Sequence, residues 1–159
     1  MSIPLRINGY HLIEIMDPVV AAACNSEDEK VSMSIALQMY PSEVALVSET
    51  YSKDTERTAN YELENITLVN RKAKPEFTWD CIKADYVKKL FEFLSYKYNF
   101  KNSAGDVIPE NAPTFDITYY DFVGWRNIKS YLGQTIDGIL EENAGVLYWR
   151  NLRIAFPEL

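Results

Sequence analysis

The sequence predicts an α+β fold, mainly antiparallel β: a sandwich or barrel-like sheet with one flanking amphipathic helix at about 85–100. Three observations predict it. Apolar residues recur at a period of two in several short segments, the mark of half-buried strands. The period changes to 3.6 in one stretch, "DYVKKLFEFLSYKYNF" (85–100). Strand-like segments precede and follow that stretch without alternating with helices, which argues against a doubly wound parallel sheet.

At 159 residues the chain has the length of one domain with its own core. The expected organisation is a single domain over 1–159, with long loops at about 48–60 and 102–113. Sixteen Lys and Arg stand against 23 Asp and Glu, a net charge of −7. Affinity for a polyphosphate comes from Lys and Arg displacing counterions, so specific nucleic-acid binding is not expected. No apolar run approaches the roughly 20 residues that cross a bilayer, and "IPLR" at the start lacks the pattern of a signal peptide. Cys24 and Cys81 have no CxxC partner. Free thiols in a reducing cytoplasm are expected.

The elements follow in order. In "LRINGYHLIEI" (5–15), Asn8-Gly9 between apolar residues signals a hairpin. Asp17-Pro18 breaks the pattern, and 19–29 reads as a short helical turn or a loop. "VSMSIALQM" (31–39) alternates apolar with small or polar residues throughout and reads as a strand that Pro41 ends. Residues 43–60 begin apolar and become polar from 48, as an extended loop or hairpin arm. Segments 61–70 and 74–82 read as two strands joined by a turn near 71–74, with Phe77, Trp79 and Cys81 on one face of the second. The helix follows, with Val87, Leu90, Phe91, Leu94 and Tyr98 in one stripe and Asp85 as its N-cap. After the turn-rich 102–113 comes a strand at 114–123. Ile136, Ile139 and Leu140 suggest a short helix or covering loop. The closing strand places Val146, Tyr148, Leu152, Ile154 and Phe156 on one face, interrupted by Arg150.

One register accounts for that arginine. If 114–122 pairs antiparallel with 146–156 so that paired numbers sum to 271, Phe115 faces Phe156, Ile117 faces Ile154, and Tyr119 faces Leu152. Asp121 then faces Arg150, a structural ion pair at the end of a buried face.

Chemistry is sparse. His11 is the only histidine, so three-histidine metal sites are excluded, and no structural zinc pattern exists. Neither GxxxxGK[ST], GxGxxG nor GxSxG occurs. No catalytic, cofactor-binding or metal-binding residue is nominated, and no enzyme activity or cofactor is expected. Aromatics reach 13% and fall on both faces of the closing strand, as on a strand that is either central in a sandwich or exposed to a partner. Tyr51, Arg57, Trp125, Leu147 and Trp149 are the candidate interaction surface. The alternative is a small-molecule or lipid-binding β-barrel with Trp79, Trp125 and Trp149 around its pocket.

A longer pattern carries a resemblance. "YSKDTERTANYELENITLVNRKAKPEFTWDCIKADYVKKLFEFL" runs from Arg57-Thr58-Ala59-Asn60 into a strand, a lysine-containing turn, a Thr78-Trp79 pair and the stripe from Val87 to Leu94. With "DITYYDFVGWR" and "YWRNLRIAFPEL" it resembles small tail-associated structural proteins of phages and prophages of Gram-positive bacteria, over residues 57 to 159. The resemblance implies a tail tube, distal tail or tail terminator-like part, made in the bacterial cytoplasm and carried in the virion. It also implies a homo-oligomeric ring, with other phage tail proteins as partners and no membrane.

A strand inside a sheet is held by its ladder hydrogen bonds. Deletion of 146–159 is therefore expected to abolish the cooperative thermal transition; a soluble truncated chain with an unchanged transition would contradict this reading of the closing segment.

Overall fold

The computed structural model describes residues 2–53, 56–57, 63–64, 67–94, 113–133 and 135–159. Its elements are β1 (Arg6–Ile7), β2 (Tyr10–His11), α1 (Leu12–Met16), α2 (Pro18–Ala23), α3 (Glu27–Ala36), β3 (Glu43–Lys53), β4 (Glu56–Arg57), β5 (Leu63–Glu64) and β6 (Thr67–Lys83). There follow α4 (Ala84–Phe93), β7 (Thr114–Asp121), β8 (Gly124–Tyr131), β9 (Asp137–Asn143) and β10 (Val146–Ala155). Two four-stranded antiparallel sheets, ordered β2-β1-β7-β8 and β3-β6-β10-β9, make the body, beside a short β4–β5 ladder. The class is α+β and mostly antiparallel, as expected; among the described residues no barrel closes, which removes the frame of the barrel alternative.

The sheets meet through aromatic side chains. Phe77 of β6 packs edge-on against Tyr119 of β7, and Phe156 touches both Phe77 and Phe115. Trp79, Leu152 and Ile154 extend this core, and Val87, Leu90 and Leu94 of α4 are buried with them. The Trp79 indole N–H donates to the Met39 carbonyl at 2.8 Å, so its one polar atom is satisfied inside.

Several expectations are corrected. Residues 27–36 are a helix, not a strand. Ser26 caps it, accepting from Glu29 N at 3.2 Å, and Glu27, Asp28 and Glu29 fill its first turn, where the helix dipole favours acids. Ile35 points outward, so the alternation did not mark a buried row. The loop expected from 48 begins as strand: β3 runs to Lys53 against β6. The turn near 71–74 is not there, since β6 is one strand of 17 residues. Its Pro75 accepts from Phe156 N at 3.0 Å, so the missing N–H lies on the β10 side and the pairing with β3 is undisturbed. Lys83, not Asp85, is the N-cap of α4. The helix is described to Leu94, and Tyr98 and the loop at 102–112 lie outside the described residues. Ile139 and Leu140 belong to β9, not to a helix or loop.

The proposed register of 271 is also wrong. Strand β7 pairs with β1 and β8, whereas β10 pairs with β6 and β9 in the other sheet. The period of two is also broken within β10. Asn151 takes φ +52, and the pairing to β9 slips between Arg150 and Arg153. Opposite it, Asp80 and Cys81 are both exposed while Ile82 is buried. The apolar row therefore changes phase at this bulge. Arg150 falls on the outer side and pairs with Glu141 at 3.2 Å; Cys81 is exposed, not core.

The final residues join the sheets. Phe156 N and Glu158 N donate to Pro75 O and Ala73 O of β6, at 3.0 and 2.8 Å. On the other side Leu159 N donates to Lys129 O of β8, and Tyr131 N of β8 donates to Pro157 O. Phe156→Ala empties a site where three rings meet across both sheets. It is expected to cost about 3–5 kcal/mol, read as a lower urea midpoint at an unchanged m-value.

Candidate functional site

Two polar clusters and two apolar hairpin tips contain the described side chains with functional potential. The first cluster grows from the β1–β2 turn. Asn8 and Gly9 both take positive φ (53° and 78°), the backbone that a two-residue reversal requires. The turn sets Arg6 opposite His11. His11 is 4% exposed and stands at the N-cap of α1, where its backbone N–H donates to Glu14 Oε1 at 3.1 Å. Its Nε2 contacts Glu27 Oε2 closely and lies 2.6 Å from Arg6 Nη2. Arg6 also donates to Glu27 at 3.2 Å, and Lys30 Nζ lies 3.5 Å from Glu27 and 3.8 Å from Glu14. His11 Nδ1 is buried without a hydrogen-bond partner. The hydrogen bond from His11 holds the Glu27 carboxyl below its usual pKa against the opposing effect of burial, with help from Lys30.

His11, Glu14 and Glu27 offer one imidazole nitrogen and two carboxylate oxygens within 4.8 Å of one another. Such donors suit a first-row divalent ion. Here, however, Arg6 and Lys30 already neutralise the carboxylates, and Nε2 is engaged. A cation would have to displace two others. The geometry is that of an ion-pair knot tying β1 and α1 to α3. Beside it lies a cleft of about 400 Å³, walled by Leu5, Val31, Tyr40, Thr118 and Trp125. Burial raises the pKa of the Tyr40 phenol.

The second cluster lies at the end of β7. Asp121 is buried and accepts from the Tyr119 hydroxyl (3.0 Å), the Phe122 backbone N–H (2.6 Å) and Arg126 Nη1 (3.0 Å). Arg126 also reaches Glu158 Oε2 at 3.3 Å, and that oxygen accepts from Ala73 N at 2.8 Å. Burial pushes the Asp121 pKa up, but the Phe122, Tyr119 and Arg126 hydrogen bonds outweigh it and leave the carboxyl below its ordinary value. Tyr119 is driven far up, by burial first and then by Asp121. The expected Asp121–Arg150 pair is thus replaced by Asp121–Arg126, with both residues on one hairpin.

The apolar tips are the most exposed features. In the β7–β8 turn Phe122 is 76% and Val123 87% exposed, and Trp125 is 60% exposed with its ring edge-on to Tyr120. Gly124 at φ +102 completes the turn, so neither Phe122 nor Val123 needs a positive φ. In the β9–β10 hairpin Ile139, Leu140, Val146 and Leu147 are exposed. Trp149 is half-buried there, beside Gly138, over a cavity of about 590 Å³ against Val87 and Phe91 of α4. Of the five nominated surface residues, Trp125 and Leu147 are exposed and Trp149 partly so, on two different hairpins. The side chains of Tyr51 and Arg57 lie outside the described residues.

Sequence reasoning missed the Glu27 and Glu158 partnerships, which span 16 and 32 residues and leave no local trace. No family model, no curated protein and no solved structure matches the chain. No helix among the described residues is long and apolar enough to cross a membrane.

Asp121→Asn removes the charge that three donors share. A loss of roughly 2–3 kcal/mol at neutral pH is expected. Because the folded pKa is depressed, the contribution of Asp121 is full above the unfolded value and is lost as pH falls through the folded one. The gap between wild type and variant, measured by urea unfolding, should close below the ordinary value of 3.8.

Proposed function

We infer that this chain is a non-enzymatic, tail-associated structural protein of a phage or prophage of Gram-positive bacteria, acting by self-association or by docking to other tail proteins. One observation carries the inference: eight large apolar side chains stand exposed on two separate hairpins. Exposed apolar clusters rimmed by polar residues mark protein contacts, and two distinct ones let a subunit meet more than one neighbour. The polar clusters favour the same reading. Each is closed by its own ion pairs, as a structural network is, and neither presents a free nucleophile beside a base. The phage assignment rests on the sequence pattern over 57–159. On this reading the chain is made in the bacterial cytoplasm and enters the virion, in a ring or through other tail proteins.

The test is direct. Particles and tail-assembly intermediates are purified from the induced strain that encodes the chain and analysed by mass spectrometry. The chain is expected in one or both at several copies per particle. Its absence from both, with other tail proteins present, would overturn the tail assignment.

A further inference from the structure

The outer edge of β8 is only partly covered. The chain's own tail pairs along its far half, where Leu159 N donates to Lys129 O at 2.9 Å and Tyr131 N donates to Pro157 O at 3.2 Å. Successive residues of an antiparallel strand turn their N–H and C=O groups to alternate sides. Lys129 and Tyr131 turn theirs away from β7, so Asn127 and Trp125 do the same. Among the described residues those outward groups of Trp125 and Asn127 have no partner. The open stretch is flanked by Tyr120, Phe122, Val123 and Trp125 at one end and by the exposed Leu159 at the other.

The two sheets differ at their free edges. Strand β9 carries Asp137, Glu141 and Glu142, all exposed. Asp137 and Glu141 pair with the exposed Arg153 and Arg150, and Glu142 has no ion pair among the described residues; a row of charged side chains is the usual protection of a free edge. The open part of β8 has no acid. Its one charge, Arg126, is turned inward and held by Asp121 and Glu158. A second copy therefore meets apolar surface and unpaired backbone along the strand itself; the nearest exposed acids, Glu27 and Asp28, lie across the cleft that Trp125 lines. The four side chains at the tip offer on the order of 500 Å², short of the roughly 800 Å² per partner of a stable interface. The strand edge and Leu159 supply the remainder.

We propose that two copies pair through their β8 edges, antiparallel about a two-fold axis, with Trp125 of each opposite Asn127 of the other. All the outward backbone groups of both residues are then used. The two Arg126 side chains meet at the axis as neutralised groups, and each Phe122–Val123 tip packs toward Leu159 of the other copy. The pairing does not depend on the phage assignment: a chain found in no particle can still form it.

Sedimentation velocity over roughly three decades of concentration tests it on the full chain. Wild type is expected to show a concentration-dependent dimer. Trp125→Lys and Asn127→Pro should each weaken it at least about tenfold, with far-ultraviolet circular dichroism unchanged. Proline is tolerated at 127 because that backbone N–H makes no bond to β7, and the variant gives up the exposed bond from Asn127 Nδ2 to Thr118 Oγ1. If Asn127→Pro lowers the melting temperature, Trp125→Lys alone decides. Ile139→Lys, on β9, should leave the dimer intact. A wild-type monomer at every concentration would overturn the proposal and point to a strand from another protein. So would a dimer that Trp125→Lys leaves unchanged, or one that only Ile139→Lys disrupts.

Discussion

The fold depends on the seam made by residues 156–159. Side-chain packing brings the two four-stranded sheets together, and Gly133 N adds a bond to Ala155 O of β10. Here one short extended segment hydrogen-bonds to β6 on one side and to β8 on the other. It also places Phe156 among Phe77 and Phe115. Backbone bonds and core packing are therefore made by the same four residues, and neither can be lost without weakening the other. Glu158 adds a third constraint. Its carboxylate receives Ala73 N from β6 and Arg126 from β8, so one side chain bridges the sheets where the backbone does.

That bridge accounts for the buried charge at the end of β7. Asp121 is costly to bury alone, yet it has three donors, and its principal cation is also held by Glu158. A network in which every member is satisfied fixes geometry where an isolated pair would not. Here it fixes the β7–β8 turn: the Phe122 N–H is bound by Asp121, so Phe122 and Val123 are presented on a rigid support. Exposed apolar groups on a rigid turn lose little entropy on docking, which suits them to contact. The ion-pair knot around His11 is comparable in kind in the same sheet, where it ties helix α3 to β1.

Local chemistry made part of this legible in the sequence. Asn8-Gly9 gave the hairpin, and the 3.6 period gave α4, because both signals act within a few residues. The segment 31–39 shows the limit. Its strict alternation satisfied a strand pattern, while Ser26 and Glu29, three residues apart, are a helix-start signature just upstream. The cap won because the alternation had no sheet neighbour to bury it. The Asp121–Arg150 pairing failed for a different reason. It placed β7 beside β10, which lie in different sheets, and it assumed an unbroken period of two, which the left-handed Asn151 breaks in β10. Asparagine tolerates that conformation better than most residues, but nothing in the sequence required it there. Contacts across 16 or 32 residues, such as His11–Glu27 and Arg126–Glu158, follow from topology and have no local sign.

The bulge has a consequence for the surface. Had β10 kept one phase, Arg150 would have continued the buried row and Trp149 would have faced outward. With the slip, Arg150 pairs with Glu141 across the hairpin, and Trp149 is turned toward α4 beside Leu152. The outer strand β9 is then left with its acids in solvent, and two of them are neutralised only by Arg150 and Arg153 of β10. A free edge lined with charged side chains resists pairing. The partial closure of β8 by residues 157–159 leaves the opposite situation: a short length of edge without an acid, beside four apolar side chains. The same backbone irregularities that defeat a simple reading of the strands thus divide the molecule into one edge guarded by charged side chains and one that can accept its own kind.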